Sequence, residues 1–178
     1  MIAIKRGRNG GREDRAMAAN SLTRLAVELA TVAHQGQCDK AGQPYIGHLQ
    51  RVASYVDPHN IHAVAAALLH DSIEDTTLTA ADLAALGIPP EVIEVVELLT
   101  RHDGQLPTDY YTQIRQHRLA REIKLADLAD NTDPDRLAML PKALRAHLQR
   151  KYANAYQALG VDPDDGHRRR ASSRRVPS

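Results

Sequence analysis

The segment IHAVAAALLHDSIEDT, residues 61–76, constrains this chain more than any other. From Ile61 to Leu69 almost every side chain is apolar, and a helix that is apolar all round must be covered by neighbours on most sides. Four ionisable groups then arrive together: His70, Asp71, Glu74 and Asp75. The pattern predicts one helix over about 61–74, on which His70 and Glu74, and likewise Asp71 and Asp75, share a face at i, i+4. An unpaired carboxylate at a buried helix end costs several kcal/mol, so such a cluster calls for cations. A divalent ion is the simplest one, and imidazole with carboxylate suits manganese, iron or zinc.

A buried helix needs partners, and the rest of the sequence supplies them as helices. Ala and Leu abound while Phe and Trp are absent, which favours closely packed helices over sheets. Apolar stripes predict helices over about 21–35, 46–56, 91–100, 119–131 and 142–159, with a short one between Thr79 and Gly87 and another that includes residues 110–116. Pro58 stops the second helix, and Pro134 is read as a break in the chain. No alternating pattern is long enough for a strand. The expected fold is all-α, a helical bundle over residues 16–160. A basic, Gly-rich segment over 1–15 and a charged tail over 161–178 are expected to be unstructured, being too poor in apolar groups to offset their ordering entropy.

Composition then removes several classes of function. The 178 residues carry a net charge of +1, so no overall field directs the chain to nucleic acid or to an anionic membrane. Cys38 is the single cysteine, which rules out an intrachain disulfide or a cysteine zinc cluster. No apolar run is long enough to span a bilayer, and the first residues lack the apolar core of a secretory leader. A cytoplasmic protein is expected. Nothing in the pattern speaks to oligomeric state.

Two ligands do not hold a metal. The chain offers His48 in PYIGHLQRVA and Asp127 in IKLADLADN, both within predicted helices. Bundles commonly build metal sites from side chains on facing helices, although spacing alone does not show that these converge.

Four blocks in order carry a family resemblance: HQGQ at 34–37, GQPYIGH at 42–48, HDSIED at 70–75 and KLADLADN at 124–131. Together they resemble the HD hydrolase domain of the RelA/SpoT family, which includes bacterial guanosine tetraphosphate hydrolases and a small stand-alone metazoan relative. Small bacterial HD phosphohydrolases with DKAGQPYI and KLADLxDNxDPxRL are more similar still. The resemblance implies that His48, His70, Asp71 and Asp127 hold a divalent ion, usually manganese. It implies that Glu74 and Asp75 orient and activate the attacking water, and that Asn131 contacts the ribose. Lys40, in the loop after the first block, is placed to neutralise phosphate charge. The implied substrate is a phosphorylated nucleotide, with guanosine 3′-diphosphate 5′-diphosphate the favoured member. The alternatives are another phosphorylated metabolite, or a nucleotide-binding regulator without turnover.

The chain departs from the family at three places. Asp39 stands where the guanine-stacking arginine belongs, Leu49 replaces a proline, and Thr132-Asp133-Pro134 replaces MRT. Other residues have plainer readings. His34 is expected to satisfy the last carbonyls of its helix. Tyr45 is expected to pack against the loop with its hydroxyl at the surface. Tyr110, Tyr111 and Arg115 are candidates for the pocket rim or for plain helix packing.

Overall fold

A computed structural model describes residues 10–173, with side chains from Ser21 onward. Among the described residues there are eleven helices and no strand, only an isolated antiparallel bridge between Cys38 and Pro44. None of these helices is long and apolar enough to cross a membrane.

The apolar segment forms α3 (Ile61–Leu69) at the centre of the bundle, started by Asn60, whose side chain accepts from the Ala63 amide at 3.1 Å. Helices α1 (Gly10–Ala33), α2 (Tyr45–Ser54), α6 (Pro90–Leu99) and α8 (Arg118–Asn131) all pack on it. Ala63, Ala65, Ala66 and Ala67 are completely buried, as are Ala26 and Ala30 of α1. With methyl groups at the contact, the helix axes can approach closely. This explains how a chain without Phe or Trp fills a core.

The helix does not run on to Glu74 as the pattern predicts. It ends at Leu69, Asp71 adopts φ −100° and ψ 1°, and a separate turn α4 (Ser72–Asp75) follows. Glu74 and Asp75 therefore stand on a separate helical turn from the helix that ends at Leu69. Beyond it, α5 (Ala80–Ala85) begins with a capping box between Thr79 and Asp82, and α7 (Pro107–Gln116) is tied to α6 by the Tyr110 hydroxyl, which donates to the Leu99 carbonyl at 2.7 Å. Pro134 does not break the chain: it is the first residue of α9 (Pro134–Ala138), with Asp133 capping that helix through the amides of Asp135 and Arg136. Helix α10 (Lys142–Ala158) closes the bundle.

Both expected tails need correction where they are described. Residues 10–15, placed in the N-terminal segment, belong to α1, while residues 1–9 lie outside the described part. Within 161–178, Asp164–Ser173 form α11, which packs along α8; residues 174–178 lie outside. The docking depends on a missing side chain. A Cβ at Gly166 would lie 2.5 Å from the Tyr156 hydroxyl and 3.3 Å from the Ala129 backbone, so only glycine permits this approach. Arg170 then donates to the Ala129 carbonyl.

Candidate metal centre and active site

Three helices and one turn bring the predicted ligands to one place. His48 comes from α2, His70 from the end of α3, Asp71 from the turn that follows, and Asp127 from α8. His48, His70 and Asp71 each offer a ligand atom within 4.8 Å of the others. Asp127 Oδ1 lies 3.4 Å from His48 Nε2 and 3.8 Å from His70 Nε2. Asp71 Oδ2 is 3.0 Å from His70 Nε2 and 3.7 Å from His48 Nε2.

The hydrogen positions decide what this cluster can hold. Nδ1 of His70 faces the Ala67 carbonyl at 2.9 Å, and Nδ1 of His48 faces the Asp130 carboxylate at 2.7 Å. Both Nδ1 atoms thus carry a hydrogen, and in the neutral rings both Nε2 atoms are lone-pair acceptors. They point at carboxylate oxygens, which are acceptors too, and His70 Nε2 has no hydrogen-bond partner although fully buried. Acceptors facing acceptors out of water require a positive charge between them. A divalent cation meets that need, as do two imidazolium protons, and two imidazoles with two carboxylates form a common donor set for such an ion. Burial opposes charge on His48 and on His70, yet the facing carboxylates prevail and raise both pKa values. Burial would raise Asp71, but His70 and His48 hold it well below the usual carboxylate range. Asp127 is held down chiefly by Lys124, whose Nζ sits 2.9 Å from Oδ2.

The other predicted residues line the same cavity: Lys40, Glu74, Asp75 and Asn131. The backbone amide of Arg101 donates to Glu74 Oε2 at 2.8 Å, and partial withdrawal of its carboxyl from water raises its pKa, the direction that favours a proton acceptor near neutrality. Asn131 donates its amide to Asp127 Oδ1 at 2.5 Å, so in this conformation it steadies a ligand candidate.

Tyr45 is not turned to the surface. Its hydroxyl donates to Asp71 Oδ2 at 2.6 Å and lies 3.2 Å from Asp75 Oδ2, while its ring stacks on His34 with centroids 4.9 Å apart. His34 does not cap helix carbonyls with its ring either; its Nδ1 meets the Gln37 side chain at 2.8 Å. Of the tyrosine group, Tyr111 reaches the pocket, Tyr110 is buried beneath it, and Arg115 faces a separate surface cleft with Arg118 and Arg121.

Several residues escaped the sequence reading. Asp130, completely buried, binds His48, Arg51 and Arg136 at once. Its spacing of three from Asp127 on an otherwise apolar helix face was a usable signal. Lys124 and Lys151 face the cavity, with Leu137, Leu140, Leu148 and Tyr152 as its apolar wall. Lys151 lies on the last long helix, and no short motif marks it.

Comparison with known proteins agrees with this picture. Residues 26–132 match the family described as HD domain. Over 114 residues the chain is 36% identical to the guanosine-3′,5′-bis(diphosphate) 3′-pyrophosphohydrolase of Haemophilus influenzae, covering 58% of this chain and 17% of that protein. Over 82 residues it is 39% identical to the bifunctional (p)ppGpp synthase/hydrolase SpoT of Escherichia coli, covering 45% of this chain and 12% of that one. The chain thus spans under a fifth of the length of these relatives. In fold it is similar to a solved structure described as a metazoan ortholog of SpoT that hydrolyzes ppGpp, with a TM-score of 0.67 and 20% identity over 87% of this chain and 94% of that one. The matched region contains all four candidate ligands and both acidic residues of α4: the chain belongs to the HD-domain family.

Proposed function

We propose that the chain is a divalent-metal-dependent phosphohydrolase acting on a phosphorylated nucleotide, with a guanosine bearing pyrophosphate at its 3′ position as favoured substrate. The observation that carries this reading is the pair of histidines whose Nδ1 hydrogens are engaged and whose Nε2 atoms face Asp71 and Asp127, with Glu74 at the edge of the same cavity. His48, His70, Asp71 and Asp127 would hold the ion, and manganese is the family's usual choice. A divalent ion held there supplies Lewis acidity toward a phosphoryl oxygen and toward water.

The chain's own residues do the rest. Glu74 accepts a proton from the attacking water, and Asp75 orients that water from the neighbouring position. The water oxygen bonds to the phosphorus next to the ribose, the bond from that phosphorus to the 3′ oxygen breaks, and the 3′ oxygen gains a proton as pyrophosphate leaves. Lys40 and Lys151 both line the cavity, and among the described residues neither forms an ion pair with a carboxylate. Two cations without counter-charge suit a substrate with more than one phosphate. The apolar wall of Leu137, Leu140, Leu148 and Tyr152 suits the flat face of a base. A cytoplasmic setting belongs to this reading, because that is where such nucleotides occur.

The test is a release assay for phosphate and pyrophosphate over a panel of nucleotides, with and without manganese. Pyrophosphate from a 3′-pyrophosphorylated guanosine nucleotide is the expected product. Phosphate from a different metabolite would transfer the reading to a phosphatase, and release from no compound by metal-loaded protein would end it.

A further inference from the structure

Asp130 joins three side chains at once, and the chemistry proposed above does not use it. It is completely buried on α8. His48 Nδ1 meets its Oδ2 at 2.7 Å, Arg51 Nε donates to its Oδ1 at 2.6 Å, and Arg136 Nη1 pairs with Oδ2. Arg51 Nη2 adds a longer bond to Oδ2 at 3.3 Å.

These partners have different functions. Arg51 and Arg136, which also reach Asp39, match the two carboxylates charge for charge, so the Asp130 charge is met without a proton from the imidazole. What His48 contributes is a neutral N–H, and accepting it fixes two properties of the ring: its rotation about the side chain, and the tautomer that leaves Nε2 bare. Nε2 is the atom that lies 3.4 Å from Asp127 and 3.7 Å from Asp71. His70 obtains the same control from the Ala67 carbonyl of its own helix. The Nδ1 of His48 instead meets a side chain 82 residues away.

We propose that Asp130 is a positioning residue for metal binding, acting through His48, with Arg51 and Arg136 holding its carboxylate in place. The inference rests on reading His48 as a ligand. Partners that orient a ligating histidine commonly contribute one to two orders of magnitude in metal affinity.

The experiment measures manganese affinity directly. Full-length protein stripped by chelator is titrated with manganese against a fluorescent chelator, with far-UV circular dichroism confirming the fold of each variant. Asp130→Asn keeps the shape but loses the charge, and its affinity should fall by about 10- to 100-fold. The decisive arm is a double-mutant cycle. In a His48→Ala background the same Asp130→Asn change should alter the residual affinity by less than about twofold, because the ring it positions is gone. Equal losses in both backgrounds would indicate general loosening and overturn the inference. Wild-type affinity in Asp130→Asn would overturn it while leaving the metal reading intact. Failure of wild type to bind manganese would remove the metal reading itself, and this inference with it. If Asp130→Asn does not fold, Arg51→Gln and Arg136→Gln each withdraw one support from the carboxylate, and unchanged affinity in both would likewise overturn it.

Discussion

Arg136 and Asp39, 97 residues apart in sequence, are joined by a 2.6 Å bond from Nη2 to Oδ2. The same Asp39 accepts the amides of Ala41 at 2.8 Å and Gln43 at 3.0 Å through Oδ1, closing the loop that carries Lys40. Its side chain is only 5% exposed. The position where the family places a stacking arginine is thus occupied by the knot of the loop, at the cavity wall with its carboxylate already engaged.

That relationship reverses a simple expectation. Residue 39 borders the cavity, but an arginine there would be free to stack on a base only if the side chain were not needed to tie the loop to Arg136. Instead, Asp39→Arg should set a third guanidinium against Arg136 and Arg51. Stability should fall by about 2–4 kcal/mol, near the figure for breaking a largely buried ion pair. KM should rise for guanine and adenine substrates alike, since Lys40 loses its support. Chemical denaturation and steady-state kinetics on two bases check this, and a guanine-selective gain would refute it.

Glu74 should behave as a base with a raised pKa. Because the base must be deprotonated, kcat/KM should fall as pH drops through a value above the ordinary glutamate range. Glu74→Gln should slow turnover by roughly 10²–10⁴-fold and abolish that acidic limb. Its manganese content should be unchanged, as measured by metal analysis of the dialysed variant. Loss of metal along with activity would make Glu74 a ligand.

Without metal, the protein should show a pH dependence that metal removes. The folded-state pKa values of His48 and His70 are raised, so their stabilising charge is fully present below the ordinary histidine pKa and disappears as pH rises through the raised values. A bound divalent ion takes over the role of those protons. The increase in Tm on adding manganese should therefore grow from acid toward alkaline pH. Melting curves between about pH 5 and pH 9, with and without the ion, decide the matter. A gain independent of pH would contradict it.

Lys151 is the cation that should distinguish diphosphates from monophosphates. Burial, Lys40 and Lys124 together lower its pKa, outweighing the pull of Asp127, which marks it as one of several positive charges gathered at the cavity. Lys151→Met should raise KM for a pyrophosphorylated substrate more than for its monophosphate analogue. The difference should shrink with salt, since the Debye length falls to about 10 Å at 0.1 M. Equal effects on both substrates would assign Lys151 to packing.

Gly166→Ala offers a test of the fold alone. The new methyl would meet the Tyr156 hydroxyl and the α8 backbone, so α11 must shift. A loss of about 1–3 kcal/mol is expected from overpacking, read from denaturant midpoints. No loss would mean that α11 is held loosely.

These tests also separate what was legible in the sequence from what was not. The buried helix, its neighbours and the ligand candidates were readable because each is a local pattern of apolar period and adjacent polar groups. The break at Asp71 was not, because HDSIED contains neither Gly nor Pro to announce it; the chain turns there at a residue that also faces two histidines. Helix α9 was hidden by reading Pro134 as a stop, when Asp133-Pro134 is equally a cap followed by a favoured first residue. Helix α11 was hidden by its charge: it docks through one glycine and one arginine, with no apolar stripe. The Asp39–Arg136 and Asp130–His48 pairs join distant segments, and no local rule reports such meetings.

The ligand candidates come from helices α2, α3 and α8, so the cluster exists only when distant parts of the chain have already met. His48 acquires its fixed ring from a partner 82 residues on, and Arg51 reaches that same partner across 79. Closing such long loops is slow and comes late in folding. Metal capture should then be an end-stage event in the life of a newly made chain. It would lock a bundle already assembled instead of nucleating one, and its kinetics would report how long α8 takes to arrive.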